Sequence, residues 1–148
     1  MDDLDRRIVA LLIRDGRATY AELGAEVNLS APAVKRRVDR LLDEGVVRGF
    51  TAVVDPAAGG WRTEAFVEVY CSGAISPEAL RHAWEGIAEV TNAWTITGQP
   101  DALIRVLATD VRHLEEVLER IRSAASIDHT ETAIVLSTLV DRRVPASG

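Results

Sequence analysis

The chain has 148 residues, of which 47% are hydrophobic and 27% charged, and its net charge is −6. This balance is typical of folded globular domains and excludes a disordered chain. No apolar run reaches the roughly 18 residues of a membrane-spanning helix, and the acidic first residues are unlike a signal peptide. A single cysteine excludes an internal disulfide. We therefore expect a cytoplasmic protein without a membrane span.

Two short helices are predicted at the start of the chain. The first has apolar residues at helical spacing, can be capped by Asp2 or Asp3, and ends near Gly16. The second begins with Thr19 as its N-cap and has Glu22 three residues later, which is the pattern of a capping box. A tight turn then leads into a third helix.

The third predicted helix has a basic face. It begins with Ser30 as the N-cap and Pro32 in its first turn, runs to about Glu44 and ends at Gly45. Its aliphatic residues fall within about 100° of arc at 3.6 residues per turn, so they face the first two helices. The N-cap and the face opposite the aliphatic residues carry small and basic residues. These are the candidate DNA contacts, namely Ser30, Pro32, Ala33, Lys35, Arg36, Arg37 and Arg40.

A short helix, a tight turn and a basic helix together predict a DNA-binding helix-turn-helix. Small residues at the start of the third helix let the backbone approach base edges, and arginines further along reach guanines or phosphates. Residues 1–50 carry nine Lys/Arg and nine Asp/Glu, against eight and fourteen in residues 51–148. Because charges beyond about 8 Å are screened, a local basic surface can bind phosphate on an acidic protein. An ordinary solvated helix face is the alternative interpretation.

A β-branched segment over residues 46–54 is predicted as a strand that leaves the helical region. The turn-forming Asp55-Pro56 and two glycines follow it and indicate a hinge. We therefore expect a helix-turn-helix domain over residues 1–55, a hinge over residues 56–63, and an oligomerisation and effector-binding domain over residues 64–148.

The rest of the chain predicts the element order βαββαβ. The predicted elements are a strand over residues 64–72, a helix from Ser76-Pro77, strands over residues 90–97 and 101–109, a helix after Asp110, and a strand over residues 132–140. This order is that of the ferredoxin-like fold, in which two helices cover one face of a four-stranded antiparallel sheet. The predicted fold class is α+β, a three-helix winged-type helix-turn-helix followed by a ferredoxin-like βαββαβ sandwich. Cys71 is interpreted as a small packing residue rather than a reactive thiol.

The uncovered face of this sheet predicts a dimer. Phe66, Tyr70, Leu103 and Leu107 lie on strand faces opposite an equally apolar set. A monomer that left such a surface in water would risk aggregation. We therefore expect a dimer through the open sheet face or its edge.

Several motifs, in their order along the chain, carry a family resemblance. They are Leu4-Asp5-Arg6-Arg7-Ile8, Asp15-Gly16-Arg17, Leu29-Ser30, Arg36-Arg37-Val38, residues 45–52, residues 97–101, and Thr130-Glu131-Thr132 with Ile134-Val135-Leu136. Along nearly the whole chain they resemble the Lrp/AsnC, or feast/famine, family of prokaryotic transcription regulators. The resemblance implies homodimers that assemble further, for example into an octamer, and that bind a free amino acid or a related metabolite where subunits meet.

The resemblance also implies the residues of the effector site. Gly98 and Asp101 match the loop that holds the amino and carboxylate ends of the ligand, and Thr130 and Thr132 match hydroxyl-bearing positions on the last strand. Gln99 stands where the family has an acidic or small residue. Positions that shape the side-chain pocket or the contact between dimers are Thr95, Val111, Ala133 and Ile134. The alternative for this loop is a simple hairpin turn whose Asp101 bonds its own backbone.

Other function classes stay open at this point. An architectural protein that compacts DNA without an effector would have the same fold, and so would a metabolite-binding module whose helix-turn-helix contacts proteins. The three histidines lack i, i+4 partners, and the sequence has no phosphate-binding loop or nucleophile elbow. We therefore expect no enzyme, no metal site and no cofactor.

Overall fold

The computed structural model describes residues 1–141. It contains two compact units, one comprising Met1–Val53 and the other Val54–Leu139. Within the described residues, every helix is too short or too polar to span a bilayer. The two units are described in turn.

The first unit is a three-helix helix-turn-helix. Its helices are α1 (Asp3–Arg14), α2 (Tyr20–Val27) and α3 (Ala31–Asp43). Thr19 and Glu22 form the predicted capping box at the start of α2. Asp2, one of the two predicted caps of α1, forms a capping box with Asp5 that was not predicted. Their shared core contains the buried residues Ile8, Leu23, Val27, Val34 and Val38. Because each helix contributes an apolar stripe, none of the three could bury its apolar side alone.

One expectation for this unit is confirmed in position only, and another is wrong. Ser30 is the N-cap residue of α3, as predicted, but its side chain makes no capping hydrogen bond. Residues 46–54 form no strand, because a strand needs a partner about 4.8 Å away and this unit offers none. The segment is instead exposed, with Phe50 53% and Val53 69% accessible.

The second unit confirms the predicted βαββαβ order. Its elements are β1 (Thr63–Cys71), α4 (Pro77–Trp84), β2 (Val90–Thr95), β3 (Ala102–Ala108), α5 (Val111–Ser123) and β4 (Ile127–Ile134). The strands form one antiparallel sheet in the order β2-β3-β1-β4. The sheet edges are therefore β2 and β4.

Both helices of this unit pack on the same face of the sheet. Every second residue of β3 and of the middle of β1 is fully buried, as in Ile104 and Val67, because successive side chains of a strand alternate between faces. The apolar stripes of α4 and α5 complete this core with Leu80, Trp84, Leu114, Val117 and Ile121. The Trp84 indole N–H donates to the Ile121 carbonyl at 3.4 Å and joins the two helices.

The last strand begins and ends earlier than predicted. It pairs with β1 from Ile127 to Ile134, after which only the Val135 N–H continues the ladder by donating to the Glu64 carbonyl at 2.8 Å. The apolar sequence runs on without a partner, and Leu136 is 96% exposed. Sequence propensity alone could not show where the pairing with β1 stops.

Candidate DNA interface and effector site

The outer side of α3 is the candidate DNA interface. Val34, Val38 and Leu41 are fully buried, which confirms that the aliphatic side of α3 faces inward. Of the predicted DNA contacts, Ala33 and Arg37 are half-buried, and the exposed ones are Ser30, Pro32, Lys35, Arg36 and Arg40. Within this unit, the polar side of α3 is thus left uncovered.

Arg37 and Arg40 are paired with carboxylates at the start of α1. Arg37 Nη1 donates to Asp2 Oδ2 at 2.6 Å and to Asp5 Oδ1 at 2.7 Å. Arg40 Nη2 donates to Asp5 Oδ2 at 2.7 Å, and the Asp2 N–H donates to the same oxygen at 2.8 Å. Asp5 has 0% exposure, so one buried carboxylate holds two arginines of α3.

Hydrogen bonding keeps both carboxylates ionised. Burial favours the neutral form of Asp5, but bonds from the Asp2 N–H and Arg37, with the charge of Arg40, outweigh burial and lower its pKa. The bond from Arg37, followed by that from the Asp5 N–H, lowers the pKa of Asp2 to about 2. Sequence reasoning identified Asp2 only as a helix cap and missed all three ion pairs that Asp2 and Asp5 form with Arg37 and Arg40.

The other two cations of α3 differ in their partners. Lys35 Nζ lies 2.5 Å from Asp39 Oδ2 in an exposed i, i+4 pair, which contributes little in water. Among the described residues, no carboxylate lies within ion-pair distance of Arg36. Arg36 is therefore the α3 cation that this unit leaves without a counter-charge.

Gly24 sets the close approach of α2 to the turn before α3. A Cβ at this position would lie 2.4 Å from the Leu29 carbonyl oxygen. The Leu29 N–H in turn donates to the Gly24 carbonyl at 2.9 Å. Sequence reasoning missed this residue, although a glycine inside a helical pattern next to a turn is a signal of such contacts.

The predicted effector loop follows β2. Gly98 has a φ of +128°, a conformation that favours glycine. The Asp101 N–H donates to the Val69 carbonyl at 2.9 Å, and Asp101 Oδ2 accepts from the Cys71 N–H at 2.7 Å. Asp101 therefore ties the loop to the end of β1 rather than to its own backbone. Gln99 is exposed on the same loop.

A second group of predicted effector residues lines a groove between α5 and β4. Val111, Thr132 and Ile134 share this groove of about 560 Å³ with Arg112, Leu114, Glu115 and Leu118. Thr130, on the same face of β4, accepts a hydrogen bond from Arg122 Nε at 3.1 Å. Ala133 pairs with Phe66 on the opposite face of the sheet. The structure thus brings together three of the predicted positions on this side.

Thr95 is the last residue of β2 and pairs with Ala102, next to Asp101 of the effector loop, so it belongs with the loop and not with the β4 residues. It lines a groove of about 410 Å³ between α4 and β2, with the indole of Trp84 and the charged Arg81 and Glu85 among its walls. Since β2 and β4 are opposite edges of the sheet, the predicted effector residues of one chain fall in separate places.

A buried ion cluster elsewhere in this unit is structural. Glu89 Oε1 lies 2.9 Å from His113 Nε2 and 2.6 Å from Arg120 Nη2. Burial raises the pKa of Glu89, but the bonds from Arg120, from its own backbone N–H and from His113 outweigh it and hold the pKa at about 2. The described residues contain no group of His, Cys, Asp and Glu arranged to hold a metal ion.

Comparison with known proteins places both units in one family. Residues 1–42 match the AsnC-type helix-turn-helix domain, and residues 64–145 match the Lrp/AsnC ligand binding domain. The chain is 57% identical over 145 residues to the HTH-type transcriptional regulator Rv2324 of Mycobacterium tuberculosis, with 98% of each chain covered.

Solved structures agree with these matches. The feast or famine regulatory protein of Mycobacterium tuberculosis, complexed with L-methionine, has a TM-score of 0.92 at 36% identity, covering 99% of each chain. The transcriptional regulator NMB0573 of Neisseria meningitidis, in an L-Met complex, has a TM-score of 0.89 at 27% identity, covering 98% of this chain and 96% of that one. The chain therefore belongs to the Lrp/AsnC family of transcription regulators, and Met1–Val53 contains its DNA-binding helix-turn-helix.

Proposed function

We propose that this regulator binds specific sites on double-stranded DNA through α3 and that a free amino acid, held by the Val54–Leu139 unit, changes that binding. The observation that carries the DNA part is the two-sided character of α3. Its Val34 and Val38 are buried, while Arg36 is exposed and has no carboxylate within ion-pair distance in residues 1–141. A helix packed on one side and free on the other fits the major groove.

The residues of α3 have different roles in this proposal. Ser30, Pro32 and Ala33 are small and stand at its N-terminal end, where they let the backbone approach base edges closely. Arg36 and Lys35 follow on the exposed side and reach a guanine edge or a phosphate. Specificity depends on the base contacts, because phosphate contacts carry no sequence information.

Substitution of Arg36 tests the interface. We expect Arg36→Ala to weaken binding to a selected site by about 1–3 kcal/mol, measured by fluorescence anisotropy with a labelled duplex. Arg14→Ala is the matched control, because Arg14 is an exposed arginine in the last turn of α1 and not on α3. Equal affinities of wild type and Arg36→Ala would contradict the assignment. Loss of affinity without any preference over random DNA would instead favour an architectural, DNA-compacting function.

Homodimers are the smallest assembly that this proposal requires. Two α3 helices about 34 Å apart would read half-sites one helical turn apart, so the DNA site should be an imperfect inverted repeat. Apolar surface that a second copy could cover includes Phe50 at 53% exposure, Trp94 at 44% and Leu136 at 96%. Larger assemblies, such as an octamer, would combine several dimers, and light scattering would measure their mass.

The effector site is proposed to be shared between copies. Asp101 bonds to Val69 of β1 from one side, and Thr130 pairs with the same residue from the other side. Because neighbouring strands lie about 4.8 Å apart, the loop and the β4 groove are about two strand spacings apart in one chain. A ligand that contacts both kinds of residue therefore needs a second copy of the chain.

An amino acid is the proposed ligand class. The Asp101 carboxylate can pair with an ammonium group, and the apolar walls of the β4 groove suit an aliphatic side chain. Two structures similar to this one are L-methionine complexes, so L-methionine heads a thermal-shift screen of the twenty amino acids. A ligand at 100 times its Kd should add about 2.7 kcal/mol to the free energy of unfolding.

Asp101→Asn separates the charge of this residue from its structural hydrogen bond. Asparagine keeps an oxygen that can accept from the Cys71 N–H, whereas alanine loses both the charge and the bond. We expect Asp101→Asn to fold normally, bind DNA and lose the thermal shift. Asp128→Asn is the control, since Asp128 is an exposed aspartate of β4. A normal ligand response in Asp101→Asn would remove this carboxylate from the site.

We also propose that the functional domains are residues 1–55 and residues 64–148, joined by a hinge over residues 56–63, and that the protein acts on DNA in the cytoplasm. The hinge contains a 3-10 turn at Pro56–Gly59 and Gly60 with a φ of +88°. Limited proteolysis would test these limits, because an exposed hinge is cut first.

A further inference from the structure

The acidic start of α1 neutralises half of the cations on α3. Arg37 lies 2.6 Å from Asp2 and 2.7 Å from Asp5, and Arg40 lies 2.7 Å from Asp5. These two aspartates and two arginines sum to zero charge. The side chain of Asp5 is 1% exposed, so its charge is compensated by Arg37 and Arg40 and not by water.

These ion pairs should persist when DNA approaches. Moving either arginine to a phosphate would leave the buried Asp5 carboxylate with one partner fewer, which is strongly unfavourable. A DNA phosphate would replace the Asp5 carboxylate as the partner of the arginine. Because the phosphate is already solvated by water, this exchange offers no free-energy gain comparable to the cost at Asp5. The burial of Asp5 should therefore keep both arginines paired with it.

We propose that the buried Asp5 withholds Arg37 and Arg40 from the DNA backbone and thereby lowers the sequence-independent part of DNA binding. This inference rests on the proposed function, in which α3 docks on DNA. It makes Asp5 a positioning residue for the DNA-reading helix, acting through the two arginines that it holds. It also separates Arg36 from Arg37 and Arg40, which the sequence pattern placed together as DNA contacts.

The salt dependence of binding tests the proposal. Each protein cation that neutralises a phosphate adds about 0.9 to the slope of log Kd against log salt. The probe is a short labelled duplex of random sequence, titrated between about 50 and 200 mM NaCl. Arg37→Gln should leave the slope unchanged, because a withheld arginine contributes no phosphate contact. A slope lower by about 0.9 in Arg37→Gln would overturn the proposal.

Asp2→Asn tests which carboxylate holds Arg37. Asparagine is as good an N-cap as aspartate, so α1 keeps its start while Arg37 loses its exposed counter-charge. The slope should match that of Asp3→Asn, the control that removes the same charge one position away, because Arg37 stays on the buried Asp5 at 2.7 Å. A slope higher by about 0.9 in Asp2→Asn than in Asp3→Asn would overturn the proposal, because burial of Asp5 would then not be what holds Arg37.

Asp5→Asn extends the series to both arginines. If this variant folds, its slope should rise by up to about 1.8, because the ion pairs that remain, Arg37 with Asp2 and Arg40 with Glu44, involve exposed carboxylates and hold the arginines only weakly. If it does not fold, Arg37→Gln still decides the question. Failure of the wild-type protein to bind any duplex would contradict the proposed function itself. Normal wild-type binding with a slope lower by about 0.9 in Arg37→Gln contradicts only this inference.

Discussion

Replacement of Gly24 by alanine should destabilise the helix-turn-helix. Gly24 is buried in α2 and faces the turn that leads into α3. Its added Cβ would lie 2.4 Å from the Leu29 carbonyl oxygen, 3.4 Å from the Leu29 carbonyl carbon and 3.6 Å from Val34 Cγ2. The closest of these distances is to backbone, which cannot rotate away as a side chain can.

The size of the effect follows from two opposing terms. Alanine inside a helix is favoured over glycine by about 1 kcal/mol. A carbon and a carbonyl oxygen normally approach to about 3.3 Å, so the Leu29 backbone must move by about 1 Å. Overpacking of this kind costs about 1–3 kcal/mol, and the movement also strains the Leu29 N–H bond to the Gly24 carbonyl, which contributes about 0.5–1.5 kcal/mol. We expect a net loss of about 1–3 kcal/mol.

Urea unfolding measured by far-UV circular dichroism would detect this loss. All three tryptophans, Trp61, Trp84 and Trp94, lie in the second unit, so their fluorescence serves as an internal reference. A lower midpoint confined to the dichroism signal assigns the loss to the helical unit. Gly16→Ala is the control, because its Cβ would have no neighbour closer than 3.7 Å.

An unchanged or higher midpoint in Gly24→Ala would refute the reasoning. In that case the ordinary helix preference for alanine would have decided the outcome, and α2 could not approach the turn as closely as the structure has it. The affinity for DNA is a second measurement of the effect of Gly24→Ala. Because the turn orients α3, Gly24→Ala should also bind DNA more weakly than Gly16→Ala.

Two further predictions concern the second unit. The pKa of Glu89 lies at about 2, below the ordinary 4.5, so its contribution to stability is present above about pH 4.5 and is lost as the pH falls towards 2. The thermal unfolding temperature of Glu89→Gln should therefore depend less on pH in this range than that of wild type. Identical pH profiles of the two proteins would contradict the assigned ion pairs with His113 and Arg120. Burial, and then the charge of Asp101, raise the pKa of the Cys71 thiol, so Cys71 should react with iodoacetamide more slowly than an unfolded cysteine and faster in Asp101→Asn than in wild type. Equal rates in the two proteins would exclude the influence of Asp101.

The helical periodicity was sufficient to predict how α3 is oriented. Val34 and Val38 are four residues apart and must share a side of any helix, so their burial could be predicted from local spacing. The partners of Arg37 and Arg40 could not, because Asp5 is 32 and 35 residues away along the chain. A long arginine side chain reaches either DNA or a carboxylate from the same helical position, and only the packing of α1 on α3 decides between them.

Strand prediction was accurate where the structure supplies a partner strand and inaccurate where it does not. β2 and β3 are joined by a short loop, and their predicted pairing is present. The apolar residues 46–54 and 135–140 are also rich in β-branched residues but form no strand, since strand formation needs a neighbouring strand with free hydrogen-bonding groups. The placement of the predicted effector residues also depends on strand pairing. Because β4 pairs with β1, the neighbouring Thr132 and Ala133 point to opposite faces of the sheet.

The low charge of the DNA-reading surface gives assembly a larger role in regulation. In the proposal above, one copy presents few uncompensated cations to DNA, so its sequence-independent attraction is weak at physiological salt. Pairing two copies makes the second half-site contact intramolecular and raises occupancy without new contacts. Under the same proposal, a ligand bound between copies would change the geometry or population of assemblies, and a coupling of about 1–3 kcal/mol is enough to change affinity roughly 5- to 150-fold. A copy with many free arginines would stay on DNA whatever its assembly, and the ligand would lose its influence.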